Sequence, residues 1–400
     1  MTFTEVIGQH KTKEDLLQML RSERLPHALL LLGSPGCGHL SLALAFAQYL
    51  LCDDRGPEDA CGRCRHCLKS SKLIHPDLHF SFPTVGTNVL SDHFLADWRN
   101  AMAENPYQEI NDWLQRIGAE NKQGNINKEE CLNIIKKLSL KTFESTYKVL
   151  IMWLPEYLGK EGNRLLKLIE EPPENTVFIL VAERQELILN TILSRCQMVQ
   201  VPPLDDDSVI AGLVEKEGLS ADQATMIAQL VDGNFNEARV LIRQEENDHA
   251  QLLLDWLRRC YRGNGVELVD WVDEFSGIGR ENQKHFLRYA LHFLRELTLL
   301  KAMSDQSGSD GKVRLPAREL ETARRLAGVV ELDQLELLSE LLTDTAYYVE
   351  RNANPKILFL DVSIRMNQIF KRRLAVLQSR NIVKLEERTS LGLWKRVLPG

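Results

Sequence analysis

The chain has 400 residues and carries 49 lysines and arginines against 56 aspartates and glutamates, which gives a formal net charge of -7. This acidic balance argues against a protein that holds nucleic acid by bulk charge, and eight cysteines are too few for a secreted disulfide scaffold. No apolar run approaches the length of a membrane span, and the start MTFTE has no secretory pattern. We therefore expect a cytoplasmic protein of roughly two or three domains, with no membrane partner.

Five short apolar runs alternate with helical patterns along the first half of the chain. Such alternation predicts an α/β fold with a parallel, doubly wound sheet. The first run leads into a glycine-rich loop, and the segment from Leu40 to Leu50 then has the composition of a helix. The five predicted strands are 28–32, 77–82, 148–152, 176–181 and 198–201.

The glycine-rich loop has the frame of a phosphate-binding P-loop without its two reactive residues. Gly33, Gly36 and Gly38 fit the motif whose backbone N–H groups wrap phosphates. His39 stands at the lysine position, and Leu40 stands where a hydroxyl would bind Mg²⁺. A mostly neutral imidazole does not replace an extended ammonium group, and leucine offers Mg²⁺ no oxygen. The loop is degenerate, and it predicts the fold of an ATPase without the reaction.

The third predicted strand lacks the acidic pair that an NTPase places at its end. Trp153 and Leu154 follow the strand, and Glu156 lies beyond Pro155, out of register. One acid of that pair should hold Mg²⁺ and the other should polarise the attacking water. The two losses are independent and agree, so the sequence predicts no intrinsic ATP hydrolysis. An active ATPase with an unusual P-loop is the alternative.

Four cysteines, Cys52, Cys61, Cys64 and Cys67, form a C-x8-C-x2-C-x2-C cluster. Four thiolates complete a closed tetrahedral shell, so the spacing predicts a structural zinc ion. An iron–sulfur cluster and reduced cysteines in a surface loop are the two alternatives. The other cysteines are expected to be buried and inert: Cys37, Cys131, Cys196 and Cys260.

Residues 84–126 exceed what a minimal α/β unit needs. After the break at Asn105-Pro106, apolar residues recur with the spacing of one helix face. This stripe predicts a small helical insertion packed on the main domain, and a partner-docking surface is the alternative. The stripe consists of Ile110, Trp113, Leu114 and Ile117.

Composition changes after Pro202-Pro203, beyond which the chain has almost only helical patterns. A polar, glycine-containing stretch at 304–311 predicts a loop between long amphipathic helices. A glycine turn at 232–234 divides the smaller helical unit. The predicted organisation is an α/β domain at 1–205, a small helical domain at 206–246, a larger helical domain at 248–375 and a charged tail at 376–400.

Several motifs together resemble one family. They are the opening Phe3–Gly38, the four-cysteine cluster, His75-Pro76-Asp77, Asn163–Pro173, Ser194-Arg195-Cys196 and, more weakly, Asn352–Lys356. Asn163–Pro173 is the most specific of these stretches. These stretches resemble the AAA+ clamp-loader family and, within it, the delta-prime subunits of bacterial DNA polymerase III. The loss of the P-loop lysine and of the acidic pair is what the delta-prime pattern implies. The insertion has no counterpart in that pattern.

The resemblance implies a function for the whole chain. It would be an AAA+ P-loop domain with a helical lid and a helical collar, acting as a non-hydrolysing stator in a clamp loader. Its partners would be the gamma/tau-type ATPase subunits and the delta subunit, with the sliding clamp and primed DNA reached through the assembly.

The resemblance also implies residue roles. Arg195 would be an arginine finger reaching ATP on a neighbouring subunit, with Ser194 and Cys196 shaping its loop. Arg239 would hold the lid's sensor position. A lone surface arginine is otherwise a solvated charge. Besides the active ATPase, a zinc-containing nucleic-acid-binding protein is the remaining alternative function.

Overall fold

A computed structural model of the chain describes residues 1–371 apart from 23, 121, 244–248, 304–314 and 316. The predicted loop at 304–311 and the predicted tail at 376–400 lie outside the described residues. The chain divides into two units, residues 1–244 and 245–400. No helix in the described part of the chain is long and apolar enough to cross a membrane.

All five predicted strands form, each within one residue of its predicted ends. They are β1 (Ala28–Gly33), β2 (Leu78–Ser81), β3 (Lys148–Trp153), β4 (Thr176–Ala182) and β5 (Gln197–Val201). Every pairing is parallel, in the order β2-β3-β4-β1-β5. The predicted parallel α/β fold is therefore confirmed.

Helices cover both faces of this sheet. In the first unit they are α1 (His10–Arg21), α2 (His39–Leu51), α3 (Arg65–Ser71), α4 (Leu95–Glu104), α5 (Ile110–Arg116), α6 (Lys128–Leu138), α7 (Leu166–Glu170), α8 (Asn190–Leu193), α9 (Asp206–Glu217), α10 (Ala221–Ala228) and α11 (Phe235–Arg243). Short 3₁₀ segments lie at Ser91–Phe94, Pro155–Leu165 and Gln185–Leu187. The strands β3 and β4 are buried at every position because both of their faces are covered.

The insertion packs on the main domain, as its apolar stripe predicts. Trp113 and Leu114 are buried, and Ile110 and Ile117 pack against the same core. The ends of the insertion meet where Thr84 and Asn125 exchange two backbone hydrogen bonds of 2.9 and 2.8 Å. The insertion is thus closed at its base and has its own helices, α4 and α5.

The helices α9 to α11 share a small apolar core to which Ile7 and Tyr107 also contribute. Asp205 caps α9 by accepting from the Ser208 N–H. The sequence predicted a single glycine turn in this unit. The structure has a second one, since α9 ends at Gly218 with a φ of 71°.

The second unit is all-helical in its described part. Its helices are α12 (His249–Arg262), α13 (Gly265–Ser276), α14 (Arg280–Met303), α15 (Ala317–Ala327), α16 (Leu332–Glu350) and α17 (Pro355–Phe370). Trp256 and Trp271 stack at a centroid distance of 5.0 Å in its core. Asn354 caps α17 by accepting N–H bonds, and Pro355 occupies the first helical position.

Candidate functional site

The glycine loop joins β1 to α2, as predicted. Gly36 and Gly38 have φ angles of 68° and 93°, which side chains rarely adopt. His39 begins α2 and is only 4% exposed. Burial lowers the pKa of His39 to about 4, so the imidazole is neutral at pH 7. Leu40 is buried in the main core, and neither side chain can take the part of the motif's lysine or hydroxyl.

The end of β3 carries an aromatic cluster where an ATPase carries acids. Trp153 is fully buried and lies 5.4 Å from Trp98 between ring centroids. Leu154 follows with a φ of 57° and is also buried. Trp98 belongs to α4 and stacks on Phe82 at 4.3 Å. The insertion therefore fills the apolar space at this end of the sheet.

Glu156 connects the segment after β3 to the segment after β4. Its carboxylate accepts hydrogen bonds of 2.6 and 2.7 Å from the backbone N–H groups of Glu183 and Arg184. These bonds join the segment after β3 to the end of β4. Burial raises the pKa of Glu156 even though the hydrogen bonds oppose this. Its role here is to hold two strand ends together.

Glu183 is the most perturbed carboxyl at this edge of the sheet. Burial raises its pKa from the ordinary 4.5 to about 8, helped by the nearby charges of Glu109 and Glu156. The folded chain then holds a proton that the unfolded chain releases, so this group weakens stability as the pH rises from 4.5 towards 8.

The variant Glu183→Gln should remove that loss. We expect it to be more stable than the wild type above pH 8, by at most about 5 kcal/mol, the free energy equivalent to this shift in pKa, and nearly equal to it near pH 5. Urea unfolding across this pH range measures the difference. A difference that does not change with pH would show that Glu183 is ionised throughout.

The four predicted cysteines converge in space. Their sulfur atoms all lie within 4.8 Å of one another, and two Sγ–Sγ pairs are 3.9 Å apart. Backbone N–H groups of Cys61, Cys64 and Cys67 point at sulfur atoms from 3.3 to 3.4 Å. Such N–H groups stabilise thiolates, so the donor set and its surroundings fit a closed Cys₄ zinc site. Zinc bound there would supply a structural cross-link.

Two buried histidines lie beside the cysteine cluster, an arrangement the sequence did not predict. His66 Nδ1 is 2.7 Å from His75 Nε2, and the Asp77 N–H donates to His75 Nδ1. His66 Nε2 lies 3.2 Å from a carboxylate oxygen of Asp53, and the Arg65 Nε–H donates to the same nitrogen at 3.1 Å.

Glu144 lies close to the same pair, so one potential metal-ligand atom from each of the three side chains lies within 4.8 Å of the others. The hydrogen-bonded chain already uses the imidazole nitrogens, and Lys69 pairs with Glu144 at 2.6 Å. Asp77 accepts three backbone N–H bonds from 143–145. We interpret the group as the packing contact between α3, β2 and the segment before β3.

Arg195 follows α8 and is held by several acceptors. Its guanidinium pairs with Glu170 and donates to the Thr191 carbonyl at 2.7 Å and to the Ser194 hydroxyl at 3.3 Å. The side chain is 28% exposed. These contacts fix a cation at the surface, at the junction of α8 and β5.

Cys196 differs from its prediction in one respect. It is half-buried, whereas Cys37, Cys131 and Cys260 are buried as predicted. The residue stands between the exposed end of α8 and β5, so only part of it is covered. Burial still raises the pKa of Cys196 to about 11, so the thiol is protonated and unreactive at neutral pH.

A family model and several relatives match this chain. The model described as DNA polymerase III, delta subunit, matches residues 8–205, the part that contains the loop, the cysteine cluster and Arg195. The match covers just under half of the chain, and residues 8–205 are similar to this family. The resemblance to delta-prime subunits predicted from the sequence is confirmed.

The relatives span both delta-prime and tau subunits. DNA polymerase III subunit delta-prime of Bacillus subtilis (strain 168) is 28% identical over 238 residues, which cover 60% of each chain. Subunit delta-prime of Escherichia coli (strain K12) is 24% identical, covering 74% of this chain and 75% of that one. Subunit tau of Bacillus subtilis (strain 168) is 23% identical, covering 89% of this chain and 60% of that one. This chain thus spans 60% of the length of the two Bacillus relatives.

Proposed function

We propose that this protein is a non-hydrolysing subunit of a DNA polymerase III clamp loader. The observation that carries the proposal is a contrast within one domain. The chain's own loop offers neither lysine, hydroxyl nor acid to ATP, while Arg195 is kept at the surface on a Ser-Arg-Cys turn. In such a domain Arg195 does not act on ATP in the chain's own site, but it can contact ATP bound to a neighbouring subunit.

The environment of Arg195 supports a role in trans. A finger must be held in place before it meets phosphate, because ordering a long side chain costs conformational entropy. The Thr191 carbonyl and the Ser194 hydroxyl hold the guanidinium from within its own turn. Glu170 neutralises the charge in the free chain, and phosphate of a neighbouring subunit would compete with it.

The remaining parts of the proposal concern assembly. The residues 206–246 form the lid and the helices of 248–375 the collar that joins the subunits. The neighbours would be gamma/tau-type ATPase subunits and a delta subunit, and the sliding clamp and primed DNA would be engaged by the complete loader. The zinc-bound cysteine cluster would stabilise the P-loop domain.

The test is ATP turnover by a reconstituted loader with clamp and primed DNA. We expect Arg195→Ala to slow turnover several-fold, since one active site loses a group worth about 10³–10⁵ in rate while the others keep theirs. Arg195→Lys should rescue it only partly, because lysine lacks the planar fork. The matched control is Arg21→Ala on the exposed side of α1.

Two results would contradict the proposal. One is ATP turnover by the isolated chain, which would show an active site of its own. The other is unchanged turnover of the Arg195→Ala assembly with its subunit composition intact, measured by native mass spectrometry. In the latter case the chain would be a structural member of the loader only.

A further inference from the structure

The segment between α4 and α5 crosses the glycine loop. We call residues 105–112, which are this connection and the first turn of α5, the strap. Its Tyr107 is only 3% exposed although it lies in a connection between two short helices. A methyl group built on Gly38 would lie 2.9 Å from the Tyr107 ring, so the ring lies directly on the loop at the start of α2. Ser41 in the first turn of α2 donates to the Pro106 carbonyl at 3.2 Å.

Tyr107 also joins the loop to two further parts of the unit. Its hydroxyl oxygen accepts a 2.8 Å hydrogen bond from the Ile7 N–H. Its ring lies 5.0 Å from that of Phe235, the first residue of α11. The ring therefore fills a wedge between the N-terminal segment, the glycine loop and the lid helices.

The lid closes the other side of the same loop. The Phe235 N–H donates to the Gly36 carbonyl at 3.1 Å. A methyl group built on Gly36 would lie 1.7 Å from Asn234 Oδ1, so that amide rests against the loop. Asn234 then donates through Nδ2 to Glu109 of the strap at 2.8 Å.

Further polar contacts tie the strap to α11. Asn105 donates to Asn236 Oδ1 at 2.5 Å, and Asn236 donates to Asp112 at 2.8 Å. Arg239, assigned by resemblance to the lid's sensor position, donates to the Glu104 carbonyl at 2.7 Å and pairs with Glu217 at 2.6 Å. The Arg239 guanidinium is thus already bound by groups of its own chain.

From these contacts we propose that the strap occupies the nucleotide's place above the degenerate loop and latches the lid to it. A P-loop binds phosphates with the backbone N–H groups of the turn that enters the helix. Here a tyrosine ring and an asparagine amide of the same chain cover that turn from two sides. The lid is then held in one position without a nucleotide. This inference concerns the chain's own site and does not depend on the role of Arg195.

Hydrogen exchange on the full-length chain tests the latch. We expect Tyr107→Ala to speed exchange of amides in α11 and in residues 34–40 by about tenfold or more, because it removes the ring and one buried hydrogen bond. Tyr107→Phe, which keeps the ring, should have a smaller effect. Gln115→Ala, on the exposed side of α5, is the control within the insertion.

Nucleotide binding tests the occupancy. The loop is restored by His39→Lys with Leu40→Thr, and Mg²⁺ with a fluorescent ADP analogue is the probe. The restored loop should not bind while the strap is intact, and adding Tyr107→Ala should give binding. Binding by the restored loop alone would overturn the occupancy. Unchanged exchange in α11 of Tyr107→Ala would overturn the latch, and this measurement remains decisive where the restored variants do not fold.

Discussion

Removal of zinc should lower the stability of the first unit by several kcal/mol. Closed Cys₄ sites contribute their binding energy to folding, about 10–16 kcal/mol in small peptides that have no other core. Here α2 supplies part of the core against which Cys52 and Cys67 are buried, so a smaller share depends on the metal. Without it, four sulfur atoms within 4.8 Å of one another lose the charge that holds them together.

The measurement is thermal unfolding of the full-length chain before and after chelation. Native mass spectrometry should find one zinc per chain before chelation and none after it. Cys64→Ser should reproduce the loss, and chelation should not lower the stability of that variant further. An unchanged melting curve after complete zinc removal would contradict a structural role, and bound iron with visible absorption would identify the iron–sulfur alternative.

The sheet and the insertion follow from local sequence patterns. The runs that become β3 and β4 are apolar at nearly every position, which is what burial on both faces requires. The stripe through Trp113 and Leu114 identifies the buried face of α5 without any knowledge of its partner. The spacing of the four cysteines is also a local pattern. Because the four ligands are close in sequence, their sulfur atoms can reach one metal ion.

The strap and the histidine pair could not be predicted from local sequence patterns. Tyr107, Asn105 and Glu109 contact residues at the start of α11 more than a hundred positions away, through side-chain amides and a single ring. No periodicity marks such contacts, because each depends on where two separate segments come together. In the sequence around Tyr107, the only recognisable signals are the helix break at Asn105-Pro106 and the start of the next helix.

Two predictions failed in detail, for different reasons. Cys196 was expected to be buried because cysteine is usually buried, but its exposure depends on the end of α8. Gly218 was not identified as a helix end, although it takes the left-handed conformation typical of that position. The glycine itself is a local signal for the end of α9, so this helix end was predictable from the sequence.

Restoring an acid at the end of β3 should unfold the first unit instead of producing an ATPase. Trp153→Asp removes a fully buried ring, a change that costs about 3–5 kcal/mol for a truncation to alanine. It also places a carboxylate in the apolar cluster formed with Trp98, and burying an unpaired charge costs several kcal/mol more. The sum is comparable to the whole stability of a typical domain, about 5–15 kcal/mol.

Urea unfolding followed by far-UV circular dichroism, together with ATP turnover, checks this outcome. Trp153→Phe should keep the cluster at a smaller cost, and Leu187→Asp, at a position 49% exposed, should change stability little. A folded Trp153→Asp variant that hydrolyses ATP with Mg²⁺ would refute the claim that the end of β3 belongs to the core. The expected loss of folding would instead show that one substitution cannot place an acid at the end of β3, because Trp98 of the insertion packs against Trp153.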